Sequence, residues 1–313
     1  MHIFPTFGQE KISMKNNSAQ YIRSESILLI TAVIWGFAFV AQRAGMEYIG
    51  PFTYNGIRFA LGTLVLFPVM YWRNKVKNRT DNITSAPKPI TFWLAGIISG
   101  IVLFGGASLQ QVGITQTTAG KAGFITGLYV IIVPIIGIFK QQRAGKSLWA
   151  GALLAIIGMY LLSITGNFEL SNGDFLVFLS AFLWAVHVQV IDHFSGCVDV
   201  LKLAALQFSI CSIASICVAL ITETITLRSI VQASVPILYG GILSVGIAYT
   251  LQVVAQQKAH PSHAAIILSL ETVFAALGGW LMLDENLSAR ALAGCALMLA
   301  GMLIAQIYKT KVT

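Results

Sequence analysis

Ten long apolar runs fill the sequence between Ser26 and Tyr308, with short polar connectors between them. A helix needs about 20 mostly apolar residues to cross the hydrocarbon core of a bilayer. Strands of a membrane barrel would instead alternate apolar and polar residues over about ten positions. The runs therefore predict an all-α integral membrane protein with ten transmembrane helices, at positions 26–44, 52–72, 91–112, 119–139, 147–165, 174–192, 201–222, 233–256, 263–283 and 288–308.

The composition supports this class, since 56% of the residues are hydrophobic and only 10% are charged. A soluble domain averages about a quarter charged residues. Polar tails are predicted at 1–25 and 309–313. The first tail lacks the long apolar region of a cleavable signal peptide, and both Met1 and Met14 stand as candidate start residues.

Lysine and arginine are distributed unevenly over the connectors. With the N-terminus in the cytoplasm, most of the 20 lysines and arginines fall on the cytoplasmic side, as the positive-inside rule requires. The pattern predicts a multi-pass protein of the plasma (inner) membrane with both tails cytoplasmic. It also accounts for the net charge of +8, so nucleic acid is not an expected partner.

Two stretches of the sequence repeat each other. Ser108–Pro134 aligns with Thr250–Ala276 at a shift of 142 positions, and each copy is an apolar run, a polar connector and a second apolar run. At a shift of 149 positions, Trp35 aligns with Trp184. The shift changes because the first half contains a longer connector. We interpret the alignment as a duplicated unit.

Each unit contains five predicted helices, one copy at 26–165 and the other at 166–308. Arg58 of the first copy aligns with Gln207 of the second. Because five is odd, the second copy must enter the membrane in the opposite orientation. Inverted repeats related by an axis in the membrane plane are typical of secondary transporters.

The repeated stretches resemble EamA-type carriers of the drug/metabolite transporter superfamily. The resemblance rests on Ala119–Val130 followed by Val133-Pro134, on Leu268–Ala276, on Leu283–Ser288 and on Trp35-Gly36. It implies ten helices, two EamA repeats and alternating access around a central cavity lined by helices 1, 3, 4, 6, 8 and 9. Substrates of such carriers are amino acids, related metabolites and other small solutes, frequently exported.

The chain departs from the usual pattern of these carriers at two places. Thr272 stands where a proline is usual, and Phe139-Lys140 stands where many members have Gly-Glu. These departures leave the substrate more open than the fold.

Eight residues within the predicted spans are candidates to line the cavity: Trp35, Gln110, Tyr129, Trp184, His187, Tyr249, Gln252 and Glu271. An ionisable side chain at the centre of a membrane helix costs about 2.5–3.5 kcal/mol on insertion scales, so each one requires a reason.

Glu271 could carry a coupling proton, bind a cationic group, or bond structurally to neighbouring helices. His187 could carry a proton or be a hydrogen-bonded core histidine. Gln110 and Gln252 occupy equivalent positions and could bond a polar solute or each other's helices. Aromatic side chains suit apolar or planar solutes, although packing roles are commoner.

Two cations are weaker candidates. Arg58 lies near the end of the second span, where snorkelling to the surface is favoured over ligand binding. Lys121 begins the fourth span and can likewise reach water, so a role as an anchor for a substrate carboxylate is less favoured. Pro134 is predicted to kink the fourth span, because proline removes one backbone hydrogen bond.

Several kinds of chemistry have no support in the sequence. The four cysteines show no paired spacing, and His260 and His263 have no further ligand spaced to join them in a metal site. No phosphate-binding loop or hydrolase motif occurs. We therefore expect no cofactor, no metal and no catalytic residues.

The sequence predicts a secondary transporter of small organic solutes, amino acids or related metabolites, with export favoured and proton coupling possible. Its partners are the solute and the lipid bilayer. One alternative is a membrane receptor or scaffold that transports nothing. A less favoured one is an intramembrane enzyme, which would need clustered His, Asp or Glu on adjacent helices.

Overall fold

The computed structural model describes residues 7–77, 89–141, 145–163, 171–282 and 288–307. Every regular element within these ranges is helical. The helices are α1 (Phe7–Gly45), α2 (Pro51–Lys77), α3 (Pro89–Ile114), α4 (Ala119–Gly127), α5 (Tyr129–Phe139), α6 (Lys146–Ser163), α7 (Asn172–Ser195), α8 (Val200–Thr222), α9 (Leu227–Gln232), α10 (Ser234–Leu238), a π-helix (Tyr239–Tyr249), α11 (Thr250–Gln256), α12 (Pro261–Leu268), α13 (Glu271–Met282) and α14 (Ala289–Ile307).

Seven stretches of the described residues are long and apolar enough to cross a membrane: Arg23–Gly45, Ile90–Ile114, Ala119–Phe139, Asn172–Ser195, Val200–Thr222, Ser234–Gln256 and Pro261–Met282. Helices α2, α6 and α14 occupy the other three predicted positions. The chain is thus an all-α, multi-pass membrane protein.

Helix α1 is longer than predicted. It begins at Phe7, within the stretch that we predicted as a polar tail, but its membrane-compatible part begins only at Arg23. The polar residues before Arg23 can form a helix, because polar side chains such as those of Lys, Gln and Glu favour helices as much as most apolar ones do, whereas membrane insertion requires apolar side chains.

The fourth and ninth predicted spans are each broken into two half-helices. The first break lies at Leu128, between α4 and α5, and the second at Ser269 and Leu270, between α12 and α13. At both breaks the backbone makes i→i+3 hydrogen bonds, from Leu128 N to Ile125 O (3.2 Å) and from Leu270 N to Ile267 O (3.2 Å).

Pro134 lies inside α5, so the break is a separate feature and the predicted kink at Pro134 stays a prediction. The chain breaks six residues before Pro134, and the equivalent break in the second half has no proline beside it. In that second break the Ser269 hydroxyl donates to Ile266 O (2.8 Å), a local bond that competes with helical backbone bonding.

The packing of the helices follows the sequence repeat. Helix α2 packs on α8, and α6 packs on α14, so in each case equivalent helices of the two repeats meet. Helix α3 packs along α7, and the equivalent contact is made by the π-helix and α11 along α1. These main contacts between the repeats are therefore related by the duplication.

Two polar contacts join the ends of α2 and α8. Glu223, after the end of α8, accepts hydrogen bonds from the backbone N–H groups of Phe52 and Thr53 (both 2.8 Å), the free donors at the start of α2. At the other end of the pair, Arg73 forms an ion pair with Asp199. The two helices run antiparallel and are tied at both ends.

Helices α6 and α14 approach closely through glycines. An added Cβ at Gly158 would lie 2.5 Å from Gly294 O, and one at Gly301 would lie 2.6 Å from Gly151 O. Small residues that allow two backbones to touch are typical of helix pairs within membranes, where packing drives association.

This contact yields a test of stability. Gly301→Val should destabilise the purified protein by about 1–3 kcal/mol, because the new side chain must separate α6 from α14. Denaturant titration in mixed micelles measures the effect. The control is Gly196→Ala, where an added Cβ has no neighbour within 4 Å. Equal stability of the two variants would contradict the packing of α6 on α14.

Candidate functional site

A small cavity lies where helices of both repeats meet. The cavity brings together all eight candidates and Arg58: Trp35, Arg58, Gln110, Tyr129, Trp184, His187, Tyr249, Gln252 and Glu271. Lys121 is not part of its lining.

Tyr249 lies at the centre of an aromatic cluster. Its ring centroid is 4.5 Å from that of Trp35 and 6.0 Å from that of Trp184. The two tryptophans are the pair that the repeat makes equivalent. His187 completes the group, with its ring 6.3 Å from Tyr249. These rings form an apolar wall that carries polar edges.

A chain of hydrogen bonds crosses the cavity wall between the repeats. The Trp184 indole donates to Gln110 Oε1 (2.7 Å), and Gln110 Nε2 donates to Gln42 Oε1 (3.2 Å). Trp35 makes a different bond and donates to the backbone carbonyl of Ser244 (3.2 Å) in the π-helix. Equivalent residues therefore serve different partners in the two repeats.

His187 is buried and bonded on one side only. Its Nε2 lies 2.9 Å from Gln207 Oε1, whereas its Nδ1 has no hydrogen-bond partner. With the side-chain amide in this orientation, Nε2 carries the hydrogen and Nδ1 is a free acceptor. Gln252 Oε1, on the same cavity, is also an unpaired acceptor.

Glu271 is the first residue of α13 and is 4% exposed. The start of a helix favours a negative charge, because the free N–H groups point toward it. Tyr129, the first residue of α5, lines the same cavity as Glu271. The Tyr129 hydroxyl has no hydrogen-bond partner. Each helix break is thus followed directly by a residue that lines the cavity, Tyr129 after the first break and Glu271 after the second.

Arg58 does not snorkel to the surface, so that expectation is wrong. The residue is 1% exposed, because α2 is covered by α8 and the π-helix at this level. Its Nε donates to Asn55 Oδ1 (2.9 Å), and its guanidinium lies 5.0 Å from the centre of the Phe59 ring. One amino group, Nη2, has no hydrogen-bond partner.

Lys121 forms an ion pair with the fully buried Asp174 (2.6 Å). Asp174 also accepts hydrogen bonds from Thr117 Oγ1 (2.7 Å) and from the backbone N–H of Ser171 (2.8 Å). The pair joins the start of α4 in the first repeat to the start of α7 in the second. Because the ion pair joins the two repeats, we interpret it as a structural contact between them.

His260 directly precedes α12, and His263 lies in its first turn. Among the residues with described positions, no group of three or more His, Cys, Asp or Glu could hold a metal ion. His260 instead accepts a hydrogen bond on Nδ1 from Ser262 N (3.3 Å) and caps α12. Burial lowers the pKa of His260, which favours the neutral ring that this cap requires.

Sequence reasoning missed several residues of the cavity. Gln42 and Thr126 contribute polar side chains, and Ser244 contributes its carbonyl. Asn55 orients Arg58 from one helical turn away. Gln42 and Asn55 could have been found as amides inside apolar spans, although neither has a polar equivalent in the other repeat. Nothing in the sequence marks the π-helix that positions Ser244.

The sequence matches the EamA-like transporter family over residues 23–164 and 171–306. The chain belongs to the EamA-like transporter family. It is a membrane transporter of the drug/metabolite type with two EamA repeats, as the repeated motifs predicted.

Relatives of this EamA protein support the assignment. It is 30% identical over 280 residues to an uncharacterized transporter of Archaeoglobus fulgidus, covering 88% of this chain and 83% of the relative. It is 26% identical over 163 residues to a probable amino-acid metabolite efflux pump of Salmonella typhimurium, covering 51% of this chain and 50% of that one. A solved crystal structure shares the fold, with a TM-score of 0.74 at 17% identity, covering 93% of this chain and 98% of the other.

The structural role of the ion pair between Lys121 and Asp174 can be tested by replacing each residue in turn and comparing the losses of stability. Asp174→Ala should destabilise the protein by about 2–3 kcal/mol, because it removes the ion pair and two further hydrogen bonds. Lys121→Gln should cost about 1 kcal/mol or less, since the lysine is partly exposed and its partner keeps the other bonds. Denaturant titration in micelles measures both. Equal losses would contradict the buried, multiply bonded position of Asp174.

Proposed function

We propose that this EamA protein is a secondary carrier that exports amino acids or related metabolites through the central cavity. The observation that supports the proposal most is the lining of the cavity, which combines aromatic rings with buried polar atoms that lack protein partners. Buried polar groups are normally bonded, so several unpaired ones on residues that line one cavity favour a polar ligand. Export is supported by the name of the Salmonella relative.

The broken helices support movement by alternating access. Half-helices that end near the middle of the membrane are typical of binding sites in secondary transporters. Here the breaks at Leu128 and at Ser269-Leu270 lie at equivalent positions of the two repeats and flank the cavity. Rocking one repeat against the other would expose the cavity to one face and then to the other.

Flux through purified protein in liposomes tests the proposal. Each amino acid is loaded on one side, and its movement down the imposed gradient is followed with and without a pH difference. We expect saturable flux of at least one amino acid or close metabolite, absent from protein-free liposomes. A folded protein that carries none of them under any gradient would contradict the proposal and favour a receptor or scaffold.

Glu271 is the residue that we propose for proton coupling, because it is a buried carboxyl group beside Tyr129 on the cavity. Glu271→Gln keeps the shape of the side chain but cannot release a proton. We expect solute exchange to continue while the dependence of net flux on the pH gradient is lost. The matched control is Glu47→Gln, an exposed position. Unchanged pH dependence in the Glu271→Gln variant would remove Glu271 from the coupling role.

We also propose that both tails face the cytoplasm and that the protein lies in the plasma (inner) membrane. Cys197 is exposed between α7 and α8, and Thr224 is exposed between α8 and α9. In a background without the other cysteines, Cys197 should react with an impermeant thiol reagent only from the cytoplasmic side. A cysteine at Thr224→Cys should react only from outside. The reverse pattern would overturn the orientation.

A further inference from the structure

Arg58 presents a buried charge that forms no ion pair with any residue whose position the structure describes. The side chain is 1% exposed, and it takes part in neither of the ion pairs described above, Arg73 with Asp199 and Lys121 with Asp174. An uncompensated guanidinium inside hydrocarbon is costly, and arginine keeps its charge at all physiological pH values. Such a group is retained in membrane helices mainly where it serves a function.

The surroundings of Arg58 hold the guanidinium in a fixed place. Nε donates to Asn55 Oδ1 (2.9 Å), and Asn55 Nδ2 in turn donates to the backbone carbonyl of Ala107 (3.1 Å). The rings of Tyr54 and Phe59 lie 5.3 and 5.0 Å from the guanidinium carbon and provide partial compensation for its charge. These contacts leave Nη2 without a partner, although the residue lines the cavity.

The duplication makes this cation unique to one side of the cavity. The equivalent residue in the second repeat is Gln207, a neutral amide whose oxygen is bonded to His187 (2.9 Å). One repeat therefore contributes a guanidinium with a free N–H group, and the other a neutral pair at the matching place. A solute that is bound here meets a positive charge on one side only.

We infer that Arg58 binds a carboxylate group of the transported solute. The inference rests on the proposed carrier function and narrows it to carboxylate-bearing molecules. Arginine donates two parallel hydrogen bonds to a carboxylate, and such charge-assisted bonds are stronger than neutral ones. An amino acid satisfies the unpaired Nη2 group, whereas the corresponding amine or amide lacks the negative charge that compensates Arg58.

Asn55 has a positioning role in this account. Its side chain touches Arg58 and Ala107 but is fully buried and is not among the residues that line the cavity. It fixes the plane of the guanidinium and thereby directs the remaining N–H groups.

Ligand binding by the purified full-length chain tests the inference. Thermal stabilisation is measured with each of the twenty amino acids and then with the carboxamide and the decarboxylated amine of each one that binds. We expect the acid to bind at least about tenfold more tightly than its amide or amine. Arg58→Gln should remove this preference, Arg58→Lys should keep part of it, and Asn55→Ala should weaken it.

Lys121→Gln is the matched control, since it removes a cation outside the cavity and should leave the preference unchanged. If Arg58→Gln fails to fold, the inference is still tested by comparing the binding of acid, amide and amine to the native chain and to the charge-conserving variant Arg58→Lys. Amides or amines that bind as tightly as the acids would overturn the inference and leave the carrier function standing. Absence of both binding and flux for every solute would remove the carrier function, and the inference with it.

Discussion

Water is absent from the hydrocarbon core, so a polar side chain there needs a bonding partner within the protein or from a solute. This constraint explains the arrangement of the chain around its cavity. Arg58, His187 and Glu271 lie on different helices, yet all three line the same space, together with the aromatic rings around Tyr249. Helices that carry such residues must face one another, whereas apolar helices such as α6 and α14 can pack at the periphery.

The duplicated helices form the framework around the cavity, and the residues that differ between the two copies determine which polar groups line it. Trp35 and Trp184 are equivalent and both contact Tyr249, but their indole N–H groups bond to Ser244 and Gln110 respectively. Tyr129 is matched by Glu271, and Arg58 by Gln207. In the mechanism that we propose, the two similar repeats exchange between inward-facing and outward-facing forms, and the asymmetric lining gives the solute one preferred orientation.

Much of this organisation could be predicted from the sequence, because membrane insertion constrains side chains so strongly. Long apolar runs located the helices, and polar or aromatic residues inside those runs located the lining. The exceptions have physical reasons. Arg58 was expected at the surface because its distance from the end of the span allowed it, but the cover provided by α8 depends on tertiary packing. The π-helix and the break at Leu128 depend on local backbone hydrogen bonds that no pattern of residues in the sequence indicates. Gln42 lacks a polar equivalent, so the repeat did not mark it.

The proposed alternating exposure of the cavity to the two faces of the membrane is tested most directly by the accessibility of a thiol at position 38. Ala38 lines the cavity and is 1% exposed, so Ala38→Cys introduces a small reporter at the proposed binding site. In a background without native cysteines, a small impermeant reagent should label this residue from either face of oriented vesicles, and a transported amino acid should slow the labelling from both faces. Labelling from one face only, or labelling that no solute slows, would contradict a carrier that binds its solute between the two repeats.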